Sequence, residues 1–226
     1  MRMRKKKHLD ERMLECSDYL IKTEVGERDS RVAEADLKAI DFKALFGNAN
    51  PVELEIGCGK GGFVCAKAEQ NPNINYIAVE KVSNVIVSAC EMAKNKNLKN
   101  VRFLNLPAEY LLRYIPKKSI DRIYLNFSCP YPKTTYANRR LTNPKFLKVY
   151  EQLLTQKGEI HQKTDNMAFF EYSLEQLSDC GYTLKNISLD LHNSSFEGNI
   201  MTEYEERFCK LKMPIYRAEA YKKCAE

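Results

Sequence analysis

The 226-residue chain has no tryptophan, no CxxC pair, no internal repeat and no low-complexity segment beyond a basic tip. Each absence narrows the reading. A helix that spans a membrane needs roughly 18 or more consecutive apolar residues, and no such run is present. Residues 1–7 are basic, but no apolar stretch follows them, so no secretory leader is expected. The eight cysteines, Cys16, Cys58, Cys65, Cys90, Cys129, Cys180, Cys209 and Cys224, are scattered through a chain large enough to bury its own core. That argues against a disulfide framework or a zinc site and points to a reducing cytoplasm. The three histidines, His8, His161 and His192, lie far apart, and no metal is expected.

What is present is an ordinary globular balance, with 44% hydrophobic residues and a net charge of +6. The length fits one domain, or one domain with an appendage. The charge is unevenly spread. Arg2, Arg4, Lys5, Lys6 and Lys7 crowd one end, and Lys133, Arg139, Arg140, Lys145 and Lys148 crowd a second short stretch. Two basic clusters point to a polyanion partner; solvated surface charge is the plain alternative.

Residues 1–31 are polar and weakly periodic, which predicts a flexible arm with a short helix near 11–21 ahead of a folded domain over 32–226. A small helix is expected over 36–46, stopped by Gly47. Strand and helix patterns then alternate. Strands are predicted at 52–56, 75–80, 101–106, 120–127, 158–163 and 182–191, with a seventh, 203–212, as the last element. Helices are predicted at 63–69, 83–94, 144–156 and 167–178, with a short one opened by Pro107. A polar loop fills 128–142. Such alternation predicts a doubly wound, mostly parallel α/β sheet covered on both faces. Residues 193–199 are too few and too polar for a crossover helix. The last strand should therefore pair antiparallel as a C-terminal hairpin at or near the sheet edge.

The organising stretch is 52–63, an apolar run cut by a glycine-dense turn that opens a helix. Gly57, Gly59 and Gly62 satisfy GxGxxG, and Gly57, Gly59 and Gly61 satisfy GxGxG, so spacing alone leaves the ligand open. Glu80, at the end of the second strand, suits the two ribose hydroxyls of an adenosine group. Glu55 lies just before the turn, where it would repel a pyrophosphate and attract a cation. That tilts the reading from a nicotinamide dinucleotide toward S-adenosylmethionine, with its ammonium and sulfonium.

After the fourth strand comes Asn126-Phe127-Ser128-Cys129-Pro130-Tyr131-Pro132-Lys133, a loop stiffened by prolines at the carboxyl end of the sheet. This stretch resembles the NFSDPWPK signature of the bacterial tRNA (guanine-N(7)-)-methyltransferase family. LEIGCGKG at 54–61, YIAVEK at 76–81, RRLT at 139–142, HQKTDN at 161–166, and LDLHNS with NIMTEYEERF at 189–208 are similar to that family in the same order. The similarity runs from about residue 15 to about residue 220, and its motifs are specific.

The resemblance implies a Rossmann-like class I fold and methyl transfer from S-adenosylmethionine to guanine N(7) in the tRNA variable loop. It implies that Glu55, Gly57, Gly59, Gly61, Glu80, Pro107, Ala108 and Cys129 line the cofactor. Lys133, Asp165, Thr202, Glu203, Tyr204 and Glu205 would contact the tRNA, with Cys129 and Asp165 at the catalytic positions. Arg139, Arg140 and the basic arm would track phosphates. The chain departs from the family pattern at three places. Pro107 stands where the family carries an aspartate toward the adenine amine, Cys129 stands at the family's catalytic aspartate, and Tyr131 replaces a tryptophan. Asn105 or Glu109 are candidates to replace the missing acceptor. Guanine N(7) already presents a lone pair without a proton, so its attack needs orientation and a supportive field rather than a general base.

Plainer roles stand beside these. Asp165 could cap the next helix, 202–205 could merely open an edge strand, and His161, for which no partner is evident, could be a packing residue. Phe63, Phe127, Phe169 and Phe170 read as core. Two other functions compete: a tRNA-binding homologue without catalysis, and a nicotinamide-dependent oxidoreductase. Monomer and homodimer are both compatible with the sequence.

Overall fold

The computed structural model describes residues 5–23 and 39–223. Its strands form a seven-stranded sheet in the order β3-β2-β1-β4-β5-β7-β6. The chain divides into two compact units, residues 1–114 and 115–226.

In the first unit, β1 (Val52–Ile56), β2 (Asn75–Val79) and β3 (Val101–Leu104) are parallel neighbours. All five residues of β1 and of β2 are buried, as strands of a sheet covered on both sides are, and in β1 that burial extends to Glu53 and Glu55. Helices α3 (Gly62–Gln70) and α4 (Ser83–Asn95) supply Val64, Cys65, Ile86, Ala89 and Cys90 to one core cluster with Tyr76 and Phe103, and the single turn α5 (Leu111–Tyr114) ends the unit. The expected helix over 36–46 lies partly outside the described residues. Its described part is the single turn α2 (Phe42–Phe46), capped by the Asp41 side chain, which accepts from Ala44 N–H at 3.0 Å.

The described part of the N-terminal stretch packs on the first unit. Helix α1 (Leu9–Glu15) lies against α4, and Arg12 grips Glu91 with two parallel bonds of 2.6 and 2.8 Å. Cys16 is buried in the core, and Leu20 forms a parallel bridge with Phe103.

In the second unit, β4 (Ile120–Asn126) and β5 (Leu154–Thr164) are parallel, and β7 (Tyr216–Tyr221) lies antiparallel between β5 and β6 (Thr183–Ser188). Helix α6 (Pro144–Leu153) starts on a proline with Asn143 as its cap, and α7 (Met167–Asp179) starts on Asn166. The antiparallel C-terminal pair is present near the sheet edge, as expected, but the residues that form the last strand are corrected. Residues 203–212 are not a strand: they hold the helix α8 (Glu203–Lys210). The last strand is β7 instead, and it sits one place in from the edge formed by β6. The reason for the helix is local. Thr202 and Glu205 form a reciprocal capping box, and Tyr204 and Phe208 stack one turn apart. Among the described residues, no helix is long and apolar enough to cross a membrane.

Candidate functional site

The glycine turn is built on the carboxyl end of the first unit's sheet. Gly57 N–H and Cys58 N–H both donate to Val79 O, at 2.8 and 3.0 Å, and tie the turn to the end of β2. Gly57, Gly59 and Gly61 have φ of 83°, 58° and 84°. Their roles differ. A Cβ at Gly61 would stand 2.6 Å from Ala89 Cβ, so this glycine lets α3 and α4 approach. A Cβ at Gly57 or Gly59 would meet no atom within 4 Å, so there the backbone faces open space.

Two carboxylates stand at the same sheet end. Glu55 is buried, 3% exposed, in the last turn-facing part of β1. Glu80 is half-buried, and its Oε1 accepts from Val82 N–H at 2.9 Å. Beside them the Cys58 thiol is pushed well up, first by burial and then by Glu55 and Glu80, so it stays neutral. Burial likewise pushes Cys65 up to about 12. These thiols are packing groups, as their apolar surroundings require. Pro107 and Ala108 lie half-buried where β3 gives way to a short 3-10 turn, Ala108–Tyr110. Asn105 helps to hold this end together. Its amide donates to Glu80 O at 2.7 Å and its Oδ1 accepts from Ser83 Oγ at 2.7 Å. It is therefore a brace between strand ends.

The second unit carries the remaining candidates. Phe127 leaves β4 with φ of 50°, and its N–H donates to Lys163 O at 2.8 Å. Cys129 and Lys133 are exposed on the loop that follows. Arg140 does not reach outward from that loop. Its Nε and Nη2 donate to Pro130 O and Tyr131 O at 2.9 and 3.0 Å, and its guanidinium lies 4.3 Å over the Tyr172 ring. Arg140 thus pins the loop, while exposed Arg139 stacks on Tyr136. At the basic end, Arg2 and Arg4 lie outside the described residues. Lys5 pairs with Asp10, and Lys6 donates to Ser88 Oγ at 2.6 Å, docking the arm on α4.

Asp165 is half-buried just past β5, and it is not a helix cap. Asn166 fills that role, its Oδ1 accepting from Phe169 N–H at 2.8 Å. Thr202 caps α8 by accepting from Glu205 N–H at 3.0 Å. Glu203 and Tyr204 are exposed, whereas Glu205 is 0% exposed and bound to Lys163 at 2.6 Å. Phe127 is not purely core. Its ring stacks with Tyr204 and Phe208 at centroid distances of 6.2 and 6.4 Å.

The sequence reading missed a cluster around His161. His161 Nε2–H donates to Glu159 Oε2 at 2.8 Å, and Nδ1 lies 3.7 Å from Glu219 Oε1. Burial lowers the histidine to about 4, outweighing both carboxylates, so the ring is neutral near pH 7. The three ligand atoms fall within 4.8 Å of one another, a spacing that suits a metal ion. Lys185 and Arg217 hold the same carboxylates, and Arg122 Nη2 lies 3.8 Å from Glu159, so both carboxylates are already met by cations of the protein. Its signal in the sequence was the alternation Glu159, His161, Lys163, which on a strand shares one face.

A protein-family model described as "Putative methyltransferase" matches residues 49–218. A tRNA (guanine-N(7)-)-methyltransferase of Bacillus cytotoxicus is 46% identical over 220 residues, covering 97% of this chain and 96% of that protein. One from Bacillus subtilis is 46% identical over 219 residues, covering 97% and 98%. The chain belongs to the bacterial tRNA (guanine-N(7)-)-methyltransferase family. Solved structures agree at the level of the fold. A precorrin-6y C5,15-methyltransferase from Geobacter metallireducens superposes with a TM-score of 0.54 at 17% identity, covering 77% of this chain and 81% of that one. In this family member the glycine turn, Glu55 and Glu80 are thus carried by one unit. Cys129, Asp165 and the first turn of α8 are carried by the other.

Proposed function

We propose that the protein methylates guanine N(7) of a variable-loop guanosine in tRNA, in the cytoplasm, with S-adenosylmethionine as donor. The observation that carries the reading is 46% identity across 97% of the chain to tRNA (guanine-N(7)-)-methyltransferases. The donor set of the first unit fits the cofactor. An open backbone at Gly57 and Gly59, a buried Glu55 and a half-buried Glu80 together suit an adenosine-bearing cation. When bound, S-adenosylmethionine supplies an electrophilic methyl group on a sulfonium.

The chain's own residues then have distinct tasks. Glu80, with Oε1 held by Val82 N–H, accepts from the ribose hydroxyls. Glu55 offsets the ligand's positive charge, and Gly61 keeps the turn in place against Ala89. Pro107 and Ala108 flank the adenine. In the second unit Asp165 accepts from guanine N(1)–H and the exocyclic amine, which selects guanine over adenine. Tyr204 offers a stacking face, Thr202 and Glu203 complete the contact, and exposed Lys133 and Arg139 meet phosphates. Because N(7) needs no deprotonation, the site's work is orientation and charge tolerance. Cys129 is the proposed neighbour of the transferred methyl and takes no proton.

Labelled S-adenosylmethionine and unmodified tRNA test this directly, with nucleosides from the digested tRNA identified by mass spectrometry. The expected product is 7-methylguanosine, dependent on Glu80 and Asp165. Bound tRNA that acquires no label would refute the reading.

A further inference from the structure

A buried lysine is costly unless its charge is met. Lys163 is 6% exposed near the end of β5, and its ammonium donates three hydrogen bonds. They go to Asn199 Oδ1 at 3.0 Å, Ile200 O at 2.9 Å and Glu205 Oε2 at 2.6 Å. All three acceptors belong to the segment that enters and opens α8. The Glu205 carboxylate is fully buried. It also accepts from Asn199 Nδ2 at 2.6 Å, and its side chain closes the capping box with Thr202. One cation therefore fixes the first turn of α8.

The main chain of the same residue fixes something else. Lys163 O accepts from Phe127 N–H at 2.8 Å, at the start of the loop that carries Cys129 and Lys133. Asp165 lies two residues further along, just past the end of β5. Phe127, held through the Lys163 backbone, stacks on Tyr204 and Phe208, held through the Lys163 side chain. Three segments meet at one residue: the Cys129 loop, the end of β5 and the first turn of α8.

We infer that Lys163 is a positioning residue for the tRNA-contacting segments, acting through Glu205. The inference rests on the methyl-transfer reading above. It also changes the role of Glu205 within that reading. With its carboxylate buried against Lys163 and Asn199, Glu205 holds Thr202 and Tyr204 in register and does not itself meet the base. Burial equally removes Lys163 as a phosphate contact.

The test uses the full chain in four forms: wild type, Lys163→Met, Glu205→Gln and the double variant. Each is assayed for kcat and KM with unmodified tRNA, for S-adenosylmethionine affinity, and for the salt dependence of tRNA binding. A misplacement of about 1 Å can cost ~100-fold, so Lys163→Met should lower kcat/KM for tRNA by roughly 10- to 100-fold. Cofactor affinity should stay within about twofold, and the two single losses should not add in the double variant. The salt slope should match wild type, because no phosphate contact is removed. Lys163→Met with wild-type kcat/KM would overturn the inference. So would additive losses, or a salt slope smaller by about one, which marks a direct phosphate contact. If Lys163→Met fails to fold, the double variant, which buries no unmatched charge, decides. The same loss supports the inference and wild-type kcat/KM overturns it. An inactive wild type overturns the functional reading and this inference together, whereas an active wild type isolates the inference.

Discussion

Replacing Gly61 by alanine should separate the two tasks of the glycine turn. Gly61 caps α3 at φ 84° and ψ 8°, in the left-handed region. An alanine there costs about 1–2 kcal/mol in backbone terms. Its Cβ would also lie 2.6 Å from Ala89 Cβ and 2.9 Å from Ala89 Cα, where carbon atoms rest at about 3.5–4.0 Å. Pushing α3 off α4 by that overlap adds about 1–3 kcal/mol. The total, about 2–5 kcal/mol, is a large share of the roughly 5–15 kcal/mol that holds a domain together.

Gly59→Ala is the control. Gly59 has φ of 58°, but its Cβ would meet nothing within 4 Å, so only the backbone cost of about 1–2 kcal/mol remains. Urea unfolding followed by far-UV circular dichroism should place the Gly61→Ala midpoint well below that of Gly59→Ala, with the slope unchanged. Titration calorimetry with S-adenosylmethionine should show the larger loss of affinity in Gly59→Ala relative to its loss of stability, since its methyl enters the open side of the turn. Equal midpoints would refute the packing account of Gly61.

Other outcomes follow from the remaining contacts. Burial lowers His161 to about 4, so as pH falls below the ordinary histidine value of about 6.5 the unfolded chain takes up a proton that the folded chain refuses. Stability should therefore decline between about pH 6.5 and about pH 4. For Glu159 and Glu219, burial pushes the carboxyls up. Lys185 and His161 outweigh it at Glu159, and His161 and Arg217 outweigh it at Glu219, leaving both below the usual range; their contribution is lost at still lower pH. His161→Gln should flatten the upper part of that decline in thermal melts across pH, and an unchanged profile would count against it. Thr202→Ala removes the α8 cap and should cost about 1 kcal/mol while raising KM for tRNA, read from melts and steady-state kinetics. Arg12→Ala should speed proteolytic cleavage around residues 5–23, followed by mass spectrometry, because it removes the two hydrogen bonds to Glu91 on α4. Cys129→Asp should keep or raise kcat for tRNA methylation, and loss of turnover would show that a carboxylate is not tolerated on that loop.

The pattern of strands and helices was legible because buried parallel strands are written as short, largely apolar segments; 75–79 follows this, and 52–56 is wholly buried despite Glu53 and Glu55. The glycine turn was legible for a related reason: positive φ and close approach leave few choices other than glycine. Glu55 and Glu80 could be placed at one sheet end because parallel strands in register bring their carboxyl ends together. The stretch 203–212 misled because short segments satisfy a two-residue and a four-residue period at once, and the capping box, local though it is, outweighed the alternation.

What lay beyond the sequence was everything set by non-local pairing. That β7 enters between β5 and β6 depends on which strand edges remain open when the chain returns, not on the composition of 216–221. Arg140 reads as a phosphate contact in the sequence, but in the fold its N–H groups donate to the Pro130 and Tyr131 carbonyls. His161 has Glu159 two residues away on its own strand, but its second carboxylate, Glu219, comes only with β7. Lys163 and Glu205 are far apart in the chain, and only folding gives each the countercharge that lets it be buried. The sequence by itself thus determined most of the local elements, the turn and the family. Tertiary structure alone decided which charges meet, because Coulomb pairing and burial are properties of distance in space.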